Sequence, residues 1–267
     1  MEEPGAGTFA KLLRRLIADG VIRPHDSVLV QFAGSFDEAV CKEVGLTNCS
    51  FSNIAPHSRS TGETSAVKFD AHLMPQPSES FDHVMGHSGL HHCSRPHEAL
   101  HEMYRLARKT VIFVENQDSL MMRAATRAGV VTWHELPAVI DAEYRSGGVD
   151  GTGVPNFVYR WTRREVRKAV GCFDPAYDVP IEFHTEWNIG SGRVATRILQ
   201  NKLRLSDEQA QQSFNWAYRA LNAAASRQGN IFAAIIRKDL AKLHPWMESP
   251  TEMKRVSMEA ATGERVS

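Results

Sequence analysis

A doubly wound α/β fold, built on a mostly parallel seven-stranded sheet with an inserted helical cap, is what this sequence predicts. Short apolar runs alternate with amphipathic stretches through the first half of the chain, and Ala33-Gly34-Ser35 makes a tight turn directly after the first of them. A length of 267 residues with 42% hydrophobic content suffices for one large core without metal or disulfide staples. Such alternation favours parallel pairing through right-handed crossovers, and it puts any ligand crevice outside the carboxyl ends of the strands.

Taken in order, Phe9, Leu12, Leu13, Leu16 and Ile17 recur at helical spacing and end at Gly20, so residues 1–25 read as an N-terminal amphipathic helix stopped by glycine. Residues 26–32 carry the run Val28-Leu29-Val30, and with the following turn and a helix over 36–44 they form the first βα unit. Further strands are expected at 49–54, 66–69, 81–86 and 110–115, with a helix over 96–107 before the last. From 117 to about 179 the pattern changes to helical pieces around a Gly-rich stretch at 146–153, which reads as the inserted cap. Strands at 180–189 and 230–236, separated by a helix over 193–227, complete a domain spanning 26–246. The polar, aperiodic tail 247–267 reads as mobile.

Lys plus Arg equals Asp plus Glu at 31 each, so no net field draws the protein to nucleic acid or to an anionic membrane, and a small-molecule partner is favoured. Lys11, Arg14 and Arg15 break the early apolar segment, and no run approaches the ~20 apolar residues that span a bilayer. Cys41, Cys49, Cys93 and Cys172 form no CxxC pair, which argues against a disulfide framework or a zinc ribbon and suits a reducing, cytoplasmic setting.

The segment from Phe81-Asp82 through Leu90-His91-His92 to Pro96, with the helix and strand that follow, resembles class I S-adenosylmethionine-dependent methyltransferases of the methyltransferase type 11 kind, whose fold is Rossmann-like. Asp70-Ala71-His72-Leu73, followed by Pro77 and Ser80-Phe81-Asp82, is similar to the Asp-Ala segment that precedes the family's fourth strand. The resemblance covers residues 26–116. It implies S-adenosylmethionine as cofactor, with the turn at Phe32, Ala33 and Gly34 approaching the methionine part and Asp70 and Ala71 meeting adenine. The match departs from the family pattern at Val30, where an acid is usual, and at Phe32 and Phe36, where glycines are usual. The ribose position falls at Asn53 to Ala55 without a carboxylate, which leaves Asn53 and, from elsewhere, Asp37 as hydrogen-bonding groups.

His87, His91 and His92 lie on or after the fourth strand, at the mouth of the expected crevice. His91 and His92 are the candidate catalytic groups, because an imidazole can take the proton of an attacking hydroxyl or amine. The competing readings are that His92 packs or caps the next helix and that His87 contacts cofactor. Some members of the wider family hold a divalent ion at this place with Glu-His; His91 replaces that glutamate, and no metal is expected. His97-Glu98-Ala99-Leu100-His101 matches the zinc motif H-E-x-x-H literally, but Ala99, Leu100, Met103, Leu106 and Ala107 define the apolar face and leave both histidines toward solvent.

Glu115, Asn156, Tyr159 and Trp161 are the candidate acceptor-binding residues, since aromatic faces with polar tips suit closure over a polyfunctional molecule; core packing is the competing role for the last three. Asp118 reads as a helix cap, and Arg160, Arg163, Arg164, Arg167 and Lys168 as a solvated helix face. Phe214, Trp216, Tyr218 and Leu221 read as helix packing or a homodimer contact. Methyl transfer to an O or N atom of a small molecule or saccharide is the expected function. A binding scaffold on the same fold, or an enzyme of other chemistry, is the alternative.

Overall fold

The protein is described by a computed structural model over residues 6–55, 64–188 and 206–254. Its elements are α1 (Ala6–Ala18), β1 (Val28–Gln31), α2 (Ser35–Glu43), β2 (Cys49–Asn53), β3 (Val67–Lys68), β4 (Phe81–His87), α3 (Pro96–Leu106), β5 (Ala107–Asn116), α4 (Leu120–Arg127), α5 (Pro137–Asp141), α6 (Arg163–Phe173), β6 (Tyr177–Asp178), β7 (Ile181–Glu186), α7 (Asp207–Ala225), β8 (Ile231–Arg237), β9 (Lys242–Leu243), β10 (Met247–Ser249) and β11 (Glu252–Met253). The first part of the helix expected over 193–227 lies outside the described residues.

Seven strands form one sheet in the order β3-β2-β1-β4-β5-β8-β7. β1 to β5 pair in parallel, while β8 runs antiparallel to both β5 and β7. The strand order reverses at β1, which pairs with β2 on one side and β4 on the other, so the crevice opens beyond the ends of β1 and β4. All four residues of β1 are buried, as a central parallel strand covered on both faces requires.

Strand alternation divides the interior into two clusters. Val84, Phe113, Phe232 and Ala234 join Leu100, Met103 and Leu106 of α3 on one face. Met85, Ile112, Val114 and Ala233 join Phe9, Leu13 and Leu16 of α1 on the other, which makes the N-terminal helix part of the domain's own core.

Within the stretch 117–179 expected as cap, Val166, Ala169 and Val170 of α6 share a core cluster with α3. Thr162 starts α6 with a capping box, its Oγ1 accepting the Glu165 N–H at 3.1 Å. The chain after 246 is not uniformly tail: β10 pairs with β11 as an antiparallel hairpin. The expected cap at Asp118 also shifts by one, since Ser119 accepts the Met122 N–H of α4 while Asp118 pairs with Arg123 at 2.8 Å.

Candidate active site

A cavity of about 440 Å³ opens at the strand ends, within the range of small-ligand pockets. Gly34, Asn53, Asp70 and Ala71 line one end, and Asn116, Glu135, Val158 and Arg160 line the other. His91, His92 and Cys93 form part of the wall they share. The glycine turn after β1 and the Asp70 carboxylate therefore border a common space.

At the first end, Asp70 Oδ1 accepts both the His72 backbone N–H at 2.9 Å and His72 Nδ1 at 2.6 Å. Its Oδ2 is left for a ligand donor such as an exocyclic amine. His72, which the sequence reading left without a role, also lines the cavity. Asn53 donates Nδ2–H to the Ala33 carbonyl at 3.0 Å and accepts the Ala55 N–H at 2.9 Å. One hydrogen and one lone pair remain, a neutral pair that suits a ribose diol. Asp37 is a buried cavity residue whose Oδ2 accepts the Gly34 N–H at 2.9 Å, so it shapes the turn as the N-terminal brace of α2.

Phe32 stands in the left-handed region with φ 62°, where glycine is usual, and an aromatic residue there stores backbone strain. Its ring lies across Gly86 and Gly89: a Cβ added to Gly89 would stand 2.0 Å from Phe32 Cγ. The ring forms cavity wall without filling the space.

Three expected cofactor or scaffold contacts fall elsewhere. His87 shares the sheet face of Met85, stacks on Phe9 at 5.2 Å and meets Asp37 through Nδ1 at 3.2 Å, so alternation along β4 turns it away from the cavity. The Ala33 side chain is buried in that same cluster, and only its backbone serves the turn. Phe36 packs there too, against His87, and does not plug the crevice.

The wall between the two ends is electrostatically organised. His91 donates Nδ1–H to Glu115 Oε2 at 2.7 Å, and its Nε2 faces Glu135 Oε2 at 3.3 Å. Burial alone would lower the pKa of His91, but the charges of Glu115 and Glu135 outweigh it and hold the imidazolium up to about 10. Glu115 is opposed by burial and held ionised by His91, with the Leu90 N–H adding a bond of 2.7 Å. Glu135 is likewise drawn down to about 2, against burial, by His91 and His92.

His92 is the opposite case. Burial, then the charge of His91, push its pKa down to about 4, so it is neutral at pH 7. It donates to the Gly148 carbonyl, its Nε2 lies 3.5 Å from Glu135 Oε2, and 29% of its side chain stays open. Adjacent imidazoles thus differ in role, one a locked cation and the other an accessible neutral base. His91, His92 and Glu135 each offer a ligand-type atom within 4.8 Å of the others, a spacing compatible with a divalent cation.

The expected acceptor residues are redistributed. Glu115 is fully buried and acts through His91. Asn156 is also buried, and its Nδ2 holds the His91 carbonyl at 3.1 Å and Glu135 Oε2 at 3.4 Å. Tyr159 and Trp161 turn to the core side: Tyr159 bonds Glu165, and Trp161 packs 5.9 Å from Phe113. In that extended stretch, Val158 and Arg160 face the cavity instead. His97 and His101 are exposed on α3 as the helical phase requires, resting near Trp161 and Phe173.

Residues 30–114 match the family model described as a methyltransferase domain. Over those residues the chain is similar to methyltransferase domains. A search of curated protein sequences gives no match. Solved structures similar to the chain include a Haloferax volcanii protein in complex with the Trm112 methyltransferase activator, at 15% identity over 86% of this chain and 94% of that one, TM-score 0.48. A SAM-dependent methyltransferase from Archaeoglobus fulgidus shares 17% identity over 86% and 94%, TM-score 0.46. The magnesium protoporphyrin IX methyltransferase from Synechocystis PCC 6803 with bound SAH shares 11% over 87% and 83%, TM-score 0.45. Asp70 Oδ2, the Asn53 amide and the side-chain-free turn at Gly34 suit the S-adenosylmethionine that the sequence resemblance implies. No described helix is long and apolar enough to cross a membrane.

Proposed function

We propose that the protein transfers a methyl group to an O or N atom of a small molecule or saccharide held between the β5 end and the cap, with His92 as general base. The observation that supports this is the continuous cavity from Gly34 and Asp70 past His92 to Arg160. When bound, S-adenosylmethionine supplies an electrophilic methyl on a sulfonium. Methyl transfer is an in-line displacement in which orientation supplies much of the acceleration. An acceptor hydroxyl becomes far more acidic as its oxygen bonds to carbon, so a weakly basic imidazole is sufficient to take the proton. This favours a hydroxyl acceptor. His91, locked between Glu115 and Glu135, positions the loop and fixes the charge that keeps its neighbour neutral.

The same reading takes the acceptor from a cytoplasmic pool and excludes nucleic acid, on the balanced charge of the chain. It also allows a homodimer through the α7 face that exposes Trp216. Isothermal titration with S-adenosylmethionine tests the first step, and mass-spectrometric detection of methylated product from a panel of hydroxyl and amine acceptors tests the second. Absence of binding at millimolar cofactor sinks the catalytic reading. It would favour the scaffold alternative, for which the Phe32 ring on the turn is the supporting observation.

A further inference from the structure

Four carboxylates and a single guanidinium line the cavity. Asp37, Asp70, Asp150 and Glu135 contribute to its lining, and Arg160 is the one lysine or arginine among the described lining residues. The extended backbone of 158–161 turns this guanidinium inward while its aromatic neighbours turn to the core. Arg160 is held there by two contacts. Nη2 donates to the Thr132 carbonyl at 2.8 Å, and the guanidinium carbon lies 6.0 Å from the Trp133 ring centroid.

No carboxylate lies within ion-pairing distance of Arg160 among the described residues, in contrast to the paired Arg105, Arg123 and Arg237. Burial lowers its pKa, and the more distant charge of Asp118 does not reverse the effect. A partly desolvated guanidinium without a counter-charge is costly unless an anion completes it. Its planar fork of donors matches an oxyanion, and one anchored nitrogen leaves the others for a ligand. Glu135, a lining acid of the cap, is already engaged with His91 and His92.

We propose that Arg160 is an anion anchor for the methyl acceptor, so that the acceptor carries an oxyanion group, carboxylate or phosphate ester, at the end of the cavity away from Asp70. The inference rests on the methyl-transfer reading of this cavity. It assigns Arg160 to substrate specificity, with the acceptor's anionic end on the cap side and its nucleophilic atom toward His92.

The test uses the intact protein saturated with S-adenosylhomocysteine, titrated calorimetrically with matched pairs: glucuronate and glucose 6-phosphate against glucose, and 3-hydroxybenzoate against 3-hydroxybenzamide. The expected result is at least about ten-fold tighter binding of the anionic members, as charge-assisted bidentate bonds provide. The two anion arms separate carboxylate from phosphate. Arg160→Gln should abolish the preference, Arg160→Lys should retain part of it, and S-adenosylhomocysteine affinity should stay unchanged in both. Equal binding within each pair, a preference that survives Arg160→Gln, or no binding of any anion overturns the proposal. The wild-type comparison stands even where a variant fails to fold. Failure of S-adenosylhomocysteine to bind strikes the underlying reading, whereas its binding without anion preference strikes the Arg160 assignment alone.

Discussion

Replacing Glu115 by glutamine removes a buried charge while nearly preserving shape, and it isolates the contact that organises the histidine wall of the cavity. The amide oxygen can still accept the Leu90 N–H, but the His91 imidazolium loses its nearer carboxylate. A rise from 6.5 to about 10 for His91 corresponds to roughly 5 kcal/mol at 1.36 kcal/mol per pH unit. Glu115 is the larger of the two attractive partners, and breaking a buried pair costs about 3 kcal/mol at the lower end. For a domain of this size that is a fall of roughly 6–12 °C in Tm at pH 7. The sign over pH follows from linkage. Because the folded pKa of His91 is raised, its contribution is complete below about 6.5 and disappears as pH rises through about 10. Urea denaturation of wild type and Glu115→Gln at pH 6, 7 and 10 reads both effects, other titrating groups cancelling in the difference. The gap between them should narrow steadily toward pH 10. A gap that stays constant, or an unchanged Tm at pH 7, refutes the locked-cation account.

The remaining expectations concern the base, the turn and the metal question. His92→Asn should lower kcat at least about 100-fold with cofactor affinity intact, as loss of a general base does. In wild type, kcat should hold from pH 8 to 6 and fall toward pH 4 as His92 takes a proton; an inflection near 6.5 would contradict its depressed pKa. His92 burial also destabilises the fold on the acid side, because below about 6.5 the unfolded chain binds a proton that the folded one resists until about 4. Gly89→Ala should cost about 1–3 kcal/mol by driving a methyl into Phe32, and Phe32→Ala in the same chain should recover part of that loss, giving a non-additive cycle by chemical denaturation. Dialysis against EDTA should leave methyl transfer unchanged, and recovery of lost activity by Mn²⁺ or Zn²⁺ would reassign His91, His92 and Glu135 as metal ligands.

The order of elements was legible because it rests on short-range chemistry. Helical spacing at Phe9 to Ile17, the apolar run Val28-Leu29-Val30, and the Pro96 helix between two strands each fix local backbone preference with little outside help. The same local signals brought Gly34, Asn53, Asp70, Ala71, His91 and His92 to one cavity, since all follow parallel strand ends. What the sequence could not supply was the phase of side chains in irregular segments and the pairing of residues distant along the chain. Tyr159 and Trp161 have the composition of a binding site, yet only packing against α3 and α6 decides that Val158 and Arg160 face the cavity. Glu135 carries no motif at all; the fold of the cap brings it against His91 and His92 and thereby sets opposite charge states on adjacent histidines. Local sequence determines which backbone forms, because periodicity and turn chemistry act within a few residues. The tertiary structure decides which face is inside and which charges meet, because burial and Coulomb interaction depend on distance in space.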